Sequence, residues 1–445
     1  MKRYAAYKPT GLKWFPEIPQ EWNWRFLCQV AQEQTIKKPP EEMYPVMTLS
    51  YGEIKRKKNI DSGLVPSNYD NYQMLYKGNI VLRLIDLQND HTSLRTGLVH
   101  ETGIITSAYT CIVSSENPAY IRYLLHSYDT RKVFYGYGGG VRQSIGFKEI
   151  RHLQVSVPPR DEQDQIVRYL DWQVSKINRL ISAKRKQIEL MKDNLKSAVA
   201  KLTTHGIGSH DMCRSEIYWL TEYPSTWHVT KLKYILKKHR REVPPNAELL
   251  ICSNSGEVTK RGDGKLGLVA ASDDIYQGVK TGDLLIHGMD TWHGAIAISN
   301  FDGMCTPVVH VCTCREEKRF VAYYLKMMAY TKVFKAISNG VRQNTSDFRS
   351  WDKVGDLLIC LPDISEQVAI ADELDKLTDA TKKGIACFER HIEKLVDLRT
   401  RLISDVVTGQ IDVRGIEIPD DERAEEFAFP DNTEEESEDI ADEEE

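Results

Sequence analysis

Between Val157 and Ile207 apolar side chains recur in alternating steps of four and three, at Leu170, Val174, Ile177, Ile181, Ile188, Met191, Leu195, Ala198 and Leu202, with one vacancy at Lys184. Such a heptad seam predicts one long amphipathic helix that needs a partner along its length. A copy of the pattern lies 204 residues later, at Leu374, Ile385, Phe388, Ile392, Leu395, Leu402 and Val406. The openings match as well: Pro158-Pro159-Arg160-Asp161-Glu162-Gln163 is restated as Leu361-Pro362-Asp363-Ile364-Ser365-Glu366-Gln367. Proline before each seam and Gly206 or Gly409 after it are entry and exit signals. Asp161 and Ser365 are the expected N-caps.

The stretches in front of the two seams, 1–156 and 210–360, read as mixed strand and helix and repeat one plan. Trp14, Pro19 and Trp22 return as Trp219, Pro224 and Trp227, and Gly78-Asn79 before Ile80-Val81 returns as Gly282-Asp283 before Leu284-Leu285. Lys132-Val133-Phe134 returns as Lys332-Val333-Phe334, and Gly140-Val141-Arg142-Gln143 as Gly340-Val341-Arg342-Gln343. Between these anchors the two stretches differ almost completely. Lys55-Arg56-Lys57-Lys58 has no counterpart of equal length; the nearest basic spot is Lys260-Arg261. The expected architecture is α+β. Globular domains at 1–156 and 210–360 are each followed by a long helix, at 157–209 and 361–416, and the two helices pair as a coiled coil within a pseudo-twofold internal repeat.

Charge sharpens this picture. The 445 residues carry a formal charge of −5, but residues 417–445 contain 16 acidic side chains and one arginine. That tail accounts for −15 and leaves +10 on residues 1–416. Its composition predicts disorder, and the basic body suits a polyanion such as nucleic acid. Two heads on a shared spacer, alike in frame and different inside, would read two separate segments of one polymer. Arg142 and Arg342 suit guanine edges or phosphates, and Gln143 and Gln343 suit adenine edges or backbone. The competing reading ties each arginine to a carboxylate and uses the glutamine to close the loop. For Lys55 to Lys58, phosphate contact competes with a plain solvated face.

Other chemistry finds little support. Nine cysteines without a Cys-x-x-Cys pair point to reduced thiols, and Cys305, Cys312 and Cys314 near His310 fit an alternating strand better than a zinc site. There is no Gly-x-x-x-x-Gly-Lys-Ser/Thr loop and no Asn/Asp-Pro-Pro-Tyr/Phe motif, and Glu53-Ile54-Lys55 lacks the Pro-Asp that a nuclease site would add. His287, His293 and His310 stand without a nucleophile or carboxylate cluster. No catalytic site, metal or cofactor is expected. No apolar run of membrane-spanning length and no apolar leader follows Met1-Lys2-Arg3-Tyr4, so the expected location is the cytoplasm, with no membrane partner.

Together the Trp-x-Pro-x-Ile-Pro entry at Trp14, Gly-Val-Arg-Gln, the Pro-Pro-x-x-Glu-Gln helix start and the Thr408-Gly409-x-Ile411 exit resemble the specificity subunit of type I restriction-modification systems. The resemblance covers residues 10–416; the acidic tail departs from the family's usual short end. It implies two target-recognition domains, each reading half of a split site in double-stranded DNA, with the antiparallel helices as spacer. It further implies docking of methyltransferase (modification) subunits and motor-endonuclease (restriction) subunits. Adenine methylation with S-adenosylmethionine and ATP-driven cleavage would then belong to those partners, and the setting would be phage defence. Two other readings stand beside it: a coiled-coil scaffold whose heads bind protein, and the specificity module of another phage-defence methylation system.

Overall fold

The computed structural model describes residues 2–12, 14–40, 42–50, 52–57, 69–85, 87, 94–137, 145–261, 276–338 and 348–419. Its contacts divide the chain into two compact units, Met1–Arg185 with Glu389–Glu445 (unit 1) and Lys186–Phe388 (unit 2). Each long helix is therefore shared between the units instead of forming a segment of its own. Each half of a seam is covered by the side chains nearest to it.

The repeat extends beyond the matching residues. In unit 1 an antiparallel sheet runs in the order Ala31–Glu33, Thr110–Ser114, Ile80–Leu82, Thr96–Leu98. Unit 2 has the same order with Leu236–His239, Val309–Cys314, Leu284–His287 and Ile296–Ile298. The central strand Ile80–Leu82 is wholly apolar because both of its faces are covered, and all three of its side chains are fully buried. The helices Pro118–Thr130 and Lys318–Tyr330 lie against the last strand of each sheet. The first starts cleanly: Asn117 accepts hydrogen bonds from the Ala119 and Tyr120 amides ahead of Pro118. Glu317 caps the second through the Arg319 amide. Each unit also pairs its early strand with its last, Asn23–Phe26 with Gln154–Val157 and His228–Lys231 with Leu358–Leu361.

The long helices span Arg160–His205 and Ile364–Val407. The second is capped one residue before its start: Asp363 Oδ1 accepts from the Glu366 amide and the Ser365 hydroxyl, and Ser365 lies inside the first turn. Asp161 likewise sits within the first turn of its helix, where its charge faces the positive end of the helix dipole. Gly206 and Gly409, at φ +74° and +72°, turn the chain out of the helices in the left-handed region that a side chain would strain.

Within unit 1 the first helix meets the second in opposite directions. Gln165 bonds to the carbonyls of Val413 and Ile416, whereas Asn178, farther along, accepts from Arg399. Leu170, Val174, Ile177 and Ile181 share one core with Leu402, Ile403 and Val406. Burial at this depth is worth about 1.5–3 kcal/mol per side chain. Unit 2 shows the same sense, with Met191 against Gly384 and Gly206 beside Glu366. Its seam is less deeply covered: Ile188 is buried, whereas Leu195, Leu202, Ile385 and Phe388 are half-buried, as are Ile392 and Leu395 in unit 1.

The recurring Glu-Gln pair explains how each head grips its helix. Gln163, fully buried, accepts from the Asn117 amide and donates to Glu116 and the Pro158 carbonyl. Gln367 makes the same three bonds with the Glu317 amide, Glu316 and the Pro362 carbonyl. Glu162 accepts from the Trp22 indole at 3.1 Å, and Glu366 accepts from Trp227 at 3.2 Å. The tryptophan-proline entry and the helix start are two sides of one contact, and the buried, fully bonded Gln163 and Gln367 fix its geometry.

Candidate nucleic-acid interface

The basic runs occupy one position on the repeated frame. In unit 1, Met47–Ser50 and Glu53–Arg56 form a hairpin, and the Lys57 amide closes it on the Val46 carbonyl. In unit 2, Leu250–Cys252 pairs with Val258–Lys260, and the Arg261 amide closes it on the Leu249 carbonyl. Lys260 and Arg261 are thus the structural counterparts of Arg56 and Lys57, although the sequence around them shows no likeness. Lys55 and Arg56 belong to the returning strand of the hairpin.

Most of these cations already have partners. Arg56 makes a two-pronged pair with Glu101, at 2.7 and 2.5 Å, which raises the guanidinium pKa and lowers that of the carboxylate. Lys55 lies 3.1 Å from Glu53, and Lys260 lies 2.5 Å from Glu248 with its ammonium over the Phe301 ring. Phosphate contact by Arg56 or Lys260 exchanges an existing exposed pair, which itself is worth little, whereas Lys55 would leave a buried Glu53 behind. Lys58, Arg142, Gln143, Arg342 and Gln343 lie outside the described residues. The chain just beyond the two Arg-Gln stretches is anchored alike in both units: the Ile145 amide bonds to the Leu84 carbonyl, and the Phe348 amide to the Gly288 carbonyl.

The histidines and cysteines serve packing. His310 is buried and bonded to the Phe348 carbonyl, and burial lowers its pKa. His287 pairs with Asp290 at 3.0 Å. Cys305 and Cys312 are buried free thiols, pushed up to about 12 by burial, and Cys314 is half-buried. Among the described residues no group of three metal-ligating side chains converges, and no helix is long and apolar enough to cross a membrane.

Two clefts flank the hairpins. In unit 1 a cleft of about 580 Å³ is lined by both signs of charge, among them Glu53, Lys55, Glu101, Arg122 and Asp171. In unit 2 a cleft of about 700 Å³ is lined by six lysines, 192, 196, 326, 332, 335 and 382, with Glu257 the one carboxylate among its lining residues. The motif reading did not reach these lysines. They come from separate segments of the chain, and only folding brings them together.

A family model described as the type I restriction modification DNA specificity domain matches residues 23–190. The chain is a relative of type I restriction-modification specificity subunits. It is 28% identical over 320 residues to a putative type I restriction enzyme MjaX specificity subunit of Methanocaldococcus jannaschii, covering 67% of this chain and 69% of the relative. It is 23% identical over 433 residues to the type I restriction enzyme MjaVIII specificity subunit of the same organism, covering 90% and 95%. A chain solved in work on complex assembly and conformational transition of the type I R-M system superposes with a TM-score of 0.63 at 13% identity, over 88% of this chain and 99% of that one. That likeness speaks for the fold.

Proposed function

We propose that this chain is the DNA-recognition component of a type I restriction-modification assembly and binds a bipartite site in duplex DNA, one half through residues 1–156 and the other through 210–360. The observation that carries this reading is the duplicated frame with divergent interiors, in a chain alignable over 90% of its length with a specificity subunit. Shared frame residues such as Gln163 and Gln367 grip the helices, while the residues that differ are free to differ in what they read. The paired helices act as the spacer between half-sites. Methyltransferase and motor-endonuclease subunits supply the chemistry, and the chain itself is non-catalytic and works in the cytoplasm.

The test is a chimaera in which residues 210–360 are replaced by the equivalent stretch of a relative, combined with the native partner subunits. Mapping of methylated adenines should show one half-site changed and the other intact. A motif that changes on both sides defeats the reading of two independent readers. Within each half, Arg142→Ala and Arg342→Ala should weaken specific binding by roughly 1–3 kcal/mol if the arginine meets a base. Unchanged affinity together with a lowered melting temperature would assign these arginines to the fold.

A further inference from the structure

The six-lysine cleft of unit 2 concentrates positive charge beyond what its own partners neutralise. Lys382 pairs with Glu257, and Lys326 donates to the Gly256 carbonyl. Lys192 and Lys196 reach Glu189 and Asp193 on their own helix, at 2.9 and 3.0 Å. The Lys335 ammonium stands 5.9 Å from the centre of the Trp292 ring, and Lys332 joins it in the lining of the cleft. Burial, reinforced by the neighbouring Lys382, lowers the pKa of the Lys326 ammonium. Like charges gathered in one cleft repel, so an anion entering it gains from all of them.

The frame does not require this charge. The positions that match Lys192, Lys196 and Lys382 across the repeat hold Val396, Thr400 and Asn178 in unit 1, and those matching Lys326 and Lys335 hold His126 and Tyr135. Lys332 has a basic counterpart in Lys132, both at left-handed backbone with φ +61° and +59°. The tie of Lys326 to its hairpin glycine is kept in unit 1 by Arg122 one helical turn away; the other four lysines have no basic counterpart. The unit 1 cleft balances its cations with Glu53, Glu101 and Asp171, so the excess of positive charge is particular to unit 2 and belongs to what unit 2 binds. Ammonium groups are point charges on flexible stems, suited to successive phosphates in varied geometry; a planar carboxylate would favour the arginine fork.

We propose that this cleft holds the phosphodiester backbone of duplex DNA beside the half-site read by unit 2, giving unit 2 the larger share of the sequence-independent affinity. The inference rests on the function proposed above and adds the surface and its asymmetry.

The test uses the full chain with Lys192→Gln, Lys196→Gln and Lys335→Gln combined, and duplex DNA titrated over a range of salt. A second triple variant, Lys233→Gln, Lys237→Gln and Lys238→Gln, removes as many charges from the other basic patch of unit 2, at the edge of its sheet. The cleft variant should flatten the slope of log affinity against log salt by roughly 2–3 and weaken binding on the order of a hundredfold near 0.15 M salt, with the methylated sequence unchanged. Melting temperature checks that both variants fold. An equal loss from the edge variant, or an unchanged slope in a folded cleft variant, overturns the inference and leaves the proposed function standing. Inorganic phosphate that protects the same lysines from acylation at constant ionic strength without DNA would assign a free-phosphate site and overturn it too. Failure of the unaltered chain to bind any duplex defeats both readings.

Discussion

Behind the last strand of their sheets the two units close the same corner with opposite chemistry. In unit 1 the Arg83 amide bonds to the Arg95 carbonyl, and in unit 2 the His287 amide bonds to the Ala295 carbonyl, which aligns Arg95 with Ala295. Asp129 and Ala329 align in the same way through their bonds to the Lys132 and Lys332 amides. Unit 1 therefore buries an ion pair, with Arg95 and Asp129 0% and 2% exposed, where unit 2 buries two alanines. Two buried charges lose hydration that their attraction restores only in good geometry, so the pair is not there because the fold demands charge. Its use is local. Arg95 Nη1 donates to the carbonyls of Arg83 at 3.1 Å and Ile85 at 2.8 Å, and the Arg95 amide donates to Asp129. Unit 2 closes the matching stretch without a buried ion pair, through a 3-10 turn at Thr291–His293, Gly294 at φ +86°, and the Asp290 amide donating to the His287 ring at 3.1 Å.

If that account holds, breaking the pair gives the largest effect. Arg95→Ala should destabilise unit 1 by about 3–5 kcal/mol, because Asp129 is left charged and buried. Arg95→Ala together with Asp129→Ala, which copies unit 2, should cost less than the single change. Amide exchange in Ile80–Leu82 and Thr96–Leu98 reads this, with Leu284–His287 and Ile296–Ile298 as the internal control. A double variant as unstable as the sum of its parts would show that the pair does more than neutralise itself.

This difference also marks how far the sequence could be read. The heptad steps and the duplication were legible because periodicity and repetition are local signals, and the side chains at Leu170, Val174, Leu374 and Val406 are buried. The Glu-Gln helix start was visible as a motif, but its purpose was not. Trp22 and Glu162 stand 140 residues apart, and only folding shows that one donates to the other. The second helix cap was misplaced because Asp363 and Ser365 are both good caps, and geometry decides between them. The match of Lys260-Arg261 to Arg56-Lys57 was hidden by divergent neighbours. Arg95, whose counterpart is alanine, carries no signal in a comparison that looks for likeness.

A smaller contrast lies at the hairpin turns. Arg122 donates to the Gly52 carbonyl at 3.0 Å, and Lys326 donates to the Gly256 carbonyl at 3.1 Å. Both glycines have positive φ, at +80° and +72°, yet the cations sit one helical turn apart in the repeat. The tie is kept and its residue is not. Arg122 is 6% exposed and Lys326 half-buried, so Arg122→Met should cost unit 1 about 1.5–3 kcal/mol, while Lys326→Met costs unit 2 about 0.5–1.5 kcal/mol. Exchange of the hairpin amides at Leu49–Ile54 and Cys252–Val258 measures each. Equal costs would mean that burial does not set the strength of this tie.

The finest contrast concerns one carboxylate. Tyr123 donates to Asp171 at 2.8 Å, and Tyr323 donates to Asp375 at 2.7 Å. Asp375 has a second support, Arg319, at 2.8 Å, where unit 1 has Ala119 in the equivalent place. Without it, burial pushes the Asp171 carboxyl up to about 6, against the opposing pull of the Tyr123 hydroxyl and the Arg122 charge. A folded pKa above the unfolded value of about 3.9 means that ionised Asp171 opposes folding. That cost is fully present above pH 6, shrinks as pH falls toward 4, and is absent below. Asp171→Asn keeps an acceptor for Tyr123 and removes the charge. It should therefore stabilise unit 1 by about 1–2 kcal/mol at pH 7.5, half-burial and solvent screening holding the gain to that size, and give no gain at pH 4. Asp375→Asn should do the reverse and destabilise unit 2 by about 0.2–1 kcal/mol, since it gives up an exposed pair with Arg319. Exchange in Pro118–Thr130 and Lys318–Tyr330 at the two pH values separates the cases. A gain for Asp171→Asn that persists undiminished at pH 4 would show that the charge is not its cause, and that the two carboxylates differ in packing alone.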